Sequence, residues 1–149
     1  MFNLDNYGIT SGRLVSDPQI YDNADGSKKV RITVAATNNY RNRDGSRTSQ
    51  FLPLEDFIPA RRARKGNGVY DLMHQGDKVT VQYTVKNNNY TKENGEQVYD
   101  IVLHIDSVRL DETKAITEAR QAAKAAGNEA EKPEAETAAK SRKSGRKAA

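Results

Sequence analysis

Between Val30 and Thr37 the chain alternates strictly: Val30, Ile32, Val34 and Ala36 are interleaved with Arg31, Thr33, Ala35 and Thr37. A period of two is that of an extended strand with one buried face; a helix would scatter these apolar side chains around its circumference. The pattern returns at Val79, Val81, Tyr83 and Val85, interleaved with Thr80, Gln82, Thr84 and Lys86. Two half-buried strands need further strands to complete a core, so the chain must build a sheet around them.

The remaining segments supply those strands. Leu4, Ile9, Leu14 and Val15, with Gly8 and Gly12 among them, predict a bent strand ending at Asp17-Pro18. Asp22–Gly26 reads as a turn, and Asn38–Thr48, with its Asp44-Gly45 pair, as a hairpin loop leading into a strand over Gln50–Ile58. Pro59–Lys65 predicts a short helix with Pro59 in its first turn, ended by Gly66-Asn67-Gly68. After a turn at Gln75-Gly76-Asp77, Asn87–Gly95 forms a long hairpin tip carrying Tyr90, and Val98–Leu110 is the last strand. The class is therefore all-β: five strands with one short helix between the third and fourth. Periodicity permits either a small Greek-key barrel or an open five-stranded sheet.

The apolar pattern stops at Leu110, which divides the chain into a folded domain, 1–110, and a tail, 111–149, rich in Ala, Glu, Lys and Arg. Thr113–Ala126 has helix propensity without an adequate apolar face, and the tail from Gly127 is expected to be disordered. Its last ten residues carry Lys140, Arg142, Lys143, Arg146 and Lys147 and no acid. No signal sequence opens the chain, and no apolar run approaches the roughly 20 residues that span a bilayer. The absence of cysteine fits a reducing compartment. The expectation is a soluble cytoplasmic protein with no membrane partner.

Catalysis is poorly supplied. The two histidines, His74 and His104, have no partner at a metal-ligand spacing, and no phosphate-cradling glycine loop occurs. Glu55 and Asp56 are adjacent on a strand and point to opposite faces, so they cannot share a substrate. Neither catalytic residues, nor a metal, nor a cofactor is expected.

Binding is better provided for. Phe51 and Phe57 share one strand face, and Leu52, Leu54 and Ile58 share the other. Two rings on a non-core face call for a cover, and an exposed base of a single-stranded nucleic acid is a natural one, since every base has a π-face to stack. Tyr40 and Tyr90 add rings at a strand end and a hairpin tip, each followed within two residues by a cation, Arg41 or Lys92. The net charge, +4, is too mild to identify a nucleic-acid binder by itself. Placement says more: Arg41, Arg43 and Arg47 cluster in one loop, and Arg61, Arg62, Arg64 and Lys65 in another. Glu55 shares the phenylalanine face and would repel phosphate unless it pairs with an arginine.

The linear order of motifs goes further. Gly12-Arg13-Leu14, Asp17-Pro18, Gly26, and Val30-x-Ile32-x-Val34-Ala35 are followed by Asn39-Tyr40-Arg41, Phe51-Leu52-x-Leu54 and Phe57. Next come Gly76-Asp77-x-Val79-x-Val81, Tyr90, Gly95 and Ile105-x-x-Val108-x-Leu110. This order resembles the bacterial-type single-stranded DNA-binding proteins over nearly all of 5–110. The resemblance implies an oligonucleotide-binding (OB) fold, a five-stranded Greek-key barrel, usually assembled as a homotetramer that coats single-stranded DNA in replication, recombination and repair, associated with the nucleoid. It implies base-stacking roles for Tyr40, Phe51, Phe57 and Tyr90, and phosphate-binding roles for Arg31, Arg41, Lys86 and Lys92. Charge alone adds Arg43, Arg61, Arg62 and Arg64. Family members often carry tryptophan at stacking sites and end in an acidic stretch with an apolar pair that recruits partner enzymes. This chain has no tryptophan and a basic end, so conventional acidic-tail-dependent partners are not expected, and extra nonspecific DNA contact is.

Two other readings stay open on sequence: an RNA-binding barrel, and a primosome-like adaptor whose aromatic residues face protein. Competition between matched DNA and RNA strands separates the first, and loss of assembly without loss of DNA affinity in Phe51→Ala and Phe57→Ala would mark the second.

Overall fold

The alternating segments are strands in the computed structural model, which describes residues 4–127. In chain order these are β1 (Gly8–Leu14), β2 (Gln19–Asp22), β3 (Lys28–Thr37) and β4 (Ser49–Ile58). A single helical turn, α1 (Ala60–Ala63), and a 3-10 turn (Gly68–Leu72) follow. The chain then forms β5 (Lys78–Asn87), β6 (Tyr90–Thr91), β7 (Gln97–Val98) and β8 (Ile101–Leu110).

The main sheet runs β1-β5-β8-β4-β3-β2, and β1 also pairs with β3 through Arg13–Ala35 and Leu14–Val34. That last pairing closes the five long strands into a barrel and decides against the open sheet. All neighbours are antiparallel except β4 and β8, which run parallel with Leu54 beside Leu103 and Glu55 beside His104. A parallel pair cannot be joined by a tight turn; the chain from α1 through the β6–β7 ribbon supplies the crossover. This is the OB-fold barrel.

Closure depends on Gly12. A Cβ there would lie 2.7 Å from the carbonyl carbon of Ala35 and 2.9 Å from Val34 Cγ1, so only a glycine lets β1 cross β3 this closely. Inside, Leu14, Val30, Ile32, Val34, Leu54, Ile58, Val79, Val81 and Ile105 form the core with Tyr70 and Met73. Tyr83 packs partly buried against this cluster, as its parity predicts, whereas Val85 near the end of the same strand is exposed.

Four local features differ from the sequence reading. Gln19–Asp22 is a strand, β2, on the edge of β3. The last strand is interrupted: Val98 belongs to the β6–β7 ribbon, and β8 starts only at Ile101, after Asp100 turns its side chain back to the Ile101 amide (2.8 Å). Pro59 precedes α1 as its cap rather than lying in its first turn. Beyond Gly66, whose φ of +100° ends the helical turn, the 3-10 turn carries Tyr70 into the core, where its hydroxyl donates to Asp56 Oδ2 at 2.7 Å. Burial first, and the Asp56 carboxylate after it, push the Tyr70 phenol far above its ordinary range.

The chain divides into two compact units, Met1–Glu112 and Thr113–Ala149. In the second, residues 114–127 are helical, with Lys114 Nζ 3.6 Å from Glu118 Oε1. The expected disorder of the tail and the basic 140–149 segment lie outside the described residues.

Candidate nucleic-acid interface

The register between β3 and β4 sets the layout of the outward face. Lys29 pairs with Phe57, Arg31 with Glu55, Thr33 with Pro53 and Ala35 with Phe51, and directly opposed residues share a face. Phe51 is 64% exposed and Phe57 51%, while Leu54 and Ile58, of opposite parity, are 0% and 4% exposed. The barrel interior therefore takes the aliphatic side chains and leaves both rings outside. The six-residue spacing separates the rings by about 20 Å along the strand, so each faces its own ligand group.

Glu55 stands between them and is neutralised. Its carboxylate accepts from Arg31 Nη2 at 2.7 Å and lies 3.0 Å from Lys29 Nζ. Partial burial pushes the Glu55 carboxyl up, but hydrogen bonds and charge from Arg31 and Lys29 outweigh this and hold it below the usual glutamate range. Arg31 is correspondingly raised, chiefly by its hydrogen bond to Glu55. The pairing with an arginine that the sequence demanded is present, and it also occupies the Arg31 guanidinium.

Pairing of β4 with β8 and of β8 with β5 extends the face. His104 lies beside Glu55, Thr84 beside His104, and Lys86 beside Val102. Thr84 Oγ1 hydrogen-bonds Asp106. A cleft of about 290 Å³ gathers Phe57, Lys29, Glu55, Lys86 and His104, so one ring and two cations meet in the same depression.

The other rings lie off the main sheet. Tyr40, 63% exposed, follows β3 and accepts a hydrogen bond at 3.3 Å from Asn38 Nδ2. In the same loop a turn bonds Asn42 N to Ser46 O and Gly45 N to Asn42 O, and Arg41, Arg43 and Arg47 around it are exposed. Tyr90, 50% exposed, is on the β6–β7 ribbon and shares a shallow cleft of about 160 Å³ with Val98 and Tyr99. Beside it Lys92 pairs with Glu96 at 3.2 Å.

The basic segment after β4 is placed differently. Arg61, Arg62 and Arg64 are exposed; Arg62 and Lys65 line a second cleft of about 380 Å³ with Asp56, Tyr70 and Ser107. Asp56 lines both clefts, so the second adjoins the one that holds Phe57, Lys29 and Lys86.

Two residues of the face went unread in the sequence. Tyr21, 47% exposed, pairs with Lys29 across β2 and β3, which in turn pairs with Phe57. A short strand between Pro18 and the Asp22–Gly26 turn was the available signal for both. Exposed rings separated by cations offer stacking surfaces and charge without hydrogen-bond readout of base edges, an arrangement tolerant of sequence. Among the described residues no cluster of His, Cys, Asp and Glu could hold a metal ion, and no helix is long and apolar enough to cross a membrane.

The model of the single-strand binding protein family matches residues 5–111. A single-stranded DNA-binding protein of Lactiplantibacillus plantarum is 27% identical over 118 residues, covering 79% of this chain and 56% of its own length. One of Staphylococcus aureus strain MRSA252 is 24% identical over 116 residues, covering 78% and 71%. A third, of Enterococcus faecalis, is 27% identical over 119 residues, covering 75% and 57%. The match thus spans little more than half the length of the first and third of these relatives.

Proposed function

The chain belongs to the single-strand binding protein family, and from that premise we propose that it binds single-stranded DNA with little sequence preference, coating and protecting it in replication, recombination and repair. Bases stack on Tyr40, Phe51, Phe57 and Tyr90. Phosphates are drawn to Arg41, Arg43 and Lys86 near these rings, to Lys92 and Arg31 in exchange for Glu96 and Glu55, and to Arg61, Arg62 and Arg64 where the strand leaves the ring-bearing face. The protein performs no chemical step on the DNA and needs no cofactor. It acts as a homotetramer in the cytoplasm, at the nucleoid.

The observation that supports this best is the division of β4: Phe51 and Phe57 outside, Leu54 and Ile58 in the core. Exposed rings on one strand face with cations between them offer successive bases a stacking surface. The relatives' names give the ligand its class.

The test is titration of matched single-stranded DNA, duplex DNA and single-stranded RNA across salt, with oligomer mass measured alongside. Single-stranded DNA should bind well above duplex, because a duplex hides its base faces, and single-stranded RNA binding more tightly than DNA would favour the RNA reading instead. Equal affinity for duplex at every salt concentration would reduce the interaction to charge alone and contradict the proposal.

A further inference from the structure

We infer that Tyr21 is a fifth base-stacking platform, forming with Lys29 and Phe57 a subsite for two bases of single-stranded DNA flanking one phosphate. The inference rests on the reading of Phe57 as a stacking residue and adds a residue to it.

Tyr21 is directly opposite Lys29, and Lys29 directly opposite Phe57, so the three side chains form a row across β2, β3 and β4 on the outward face. Ile20, next to Tyr21, packs against the core, which fixes the opposite orientation for the tyrosine. Two strand spacings place the rings about 9–10 Å apart, with the lysine between them. Tyr21 is 47% exposed and Phe57 51%, so each presents a large part of its ring to solvent.

The polar surroundings fit the same ligand. The Tyr21 hydroxyl donates to Gln19 Oε1 at 3.0 Å, tethering the ring tip to its own strand and limiting its rotation. Lys29 reaches Glu55 from the same row, and Arg31 is one pair further along. A strand passing over the row meets ring, cation and ring in turn, the arrangement that sequence-tolerant single-strand binders use. A tyrosine present only for its β-propensity would need neither an outward lysine beside it nor a second exposed ring beyond that.

The experiment measures binding of a labelled oligothymidylate to the full chain and to Tyr21→Ala, Tyr21→Phe and Phe57→Ala, across salt, with thermal midpoints. Tyr21→Ala should weaken binding about tenfold, with the salt slope and midpoint unchanged, while Tyr21→Phe keeps the affinity. Full affinity in Tyr21→Ala beside a weakened Phe57→Ala overturns this inference and leaves the proposed function standing. Full affinity in both overturns this inference together with the stacking role of Phe57. A loss in Tyr21→Ala that follows a fallen midpoint makes the ring structural and also overturns it.

Discussion

Arg31 Nη2 lies 2.7 Å from Glu55 Oε1 across the β3–β4 pair, on the outward face next to the row that holds Phe57 and nearer to it than to Phe51. With Lys29 on the other carboxylate oxygen, one acid is shared by two cations on the face that carries the rings. A phosphate must compete with Glu55 for both.

Glu55→Gln should therefore strengthen binding to single-stranded DNA. Each cation released to a phosphate adds roughly 0.7 to the log–log salt slope, so freeing both steepens it by up to about 1.4. The ion pairs are partly exposed on the cation side, and their loss should cost the fold about 1 kcal/mol or less. Titrations at several salt concentrations check this; an unchanged slope would show that neither cation is withheld from DNA by the carboxylate.

The same carboxylate gives a pH dependence with a definite sign. Glu55 is held below its ordinary value of 4.5 in the folded chain, so its ion pairs stabilise the fold fully above that value and are lost as pH falls through the lower folded one. Asp25, Asp44, Asp71 and Asp111 are lowered too, so acid lability alone does not isolate Glu55. The difference in thermal midpoint between the wild-type chain and Glu55→Gln does: it should be present at neutral pH and vanish on acidification. A difference that persists unchanged at low pH would remove Glu55 ionisation as its cause.

Gly12→Ala should damage the fold itself. The added methyl meets the Ala35 backbone, which cannot swing away as a side chain would, at the point where β1 closes on β3. Overpacking of this kind costs about 1–3 kcal/mol or more, roughly 4–8 °C of thermal midpoint per kcal/mol in a domain of this size. Calorimetry reads it, and an unmoved midpoint would mean that closure does not depend on that glycine.

Strand parity explains why much of this was readable beforehand. Alternation at Val30–Thr37 and Val79–Lys86 dictated which side chains enter the core, and the even spacing of Phe51 and Phe57 put both rings outside. What parity cannot supply is pairing. The Tyr21–Lys29–Phe57 row depends on which strands lie side by side, and β2 is too short to announce itself by period. Tyr70 entered the core through a 3-10 turn, where apolar residues have no strand or helix period to betray them. Arg62 looked like part of one basic surface, but its position follows from how α1 leaves β4, a matter of loop geometry and not of charge.

The decisive measurement is affinity for a single-stranded oligonucleotide in Tyr40→Ala, Phe51→Ala and Tyr90→Ala, taken with thermal midpoint and oligomer mass. Each should lose about 1–3 kcal/mol of binding, with midpoint and mass unchanged, because the rings meet bases and not the barrel interior. Retained affinity in all three, or an altered mass with DNA binding intact, would show that these rings face protein and would contradict the account.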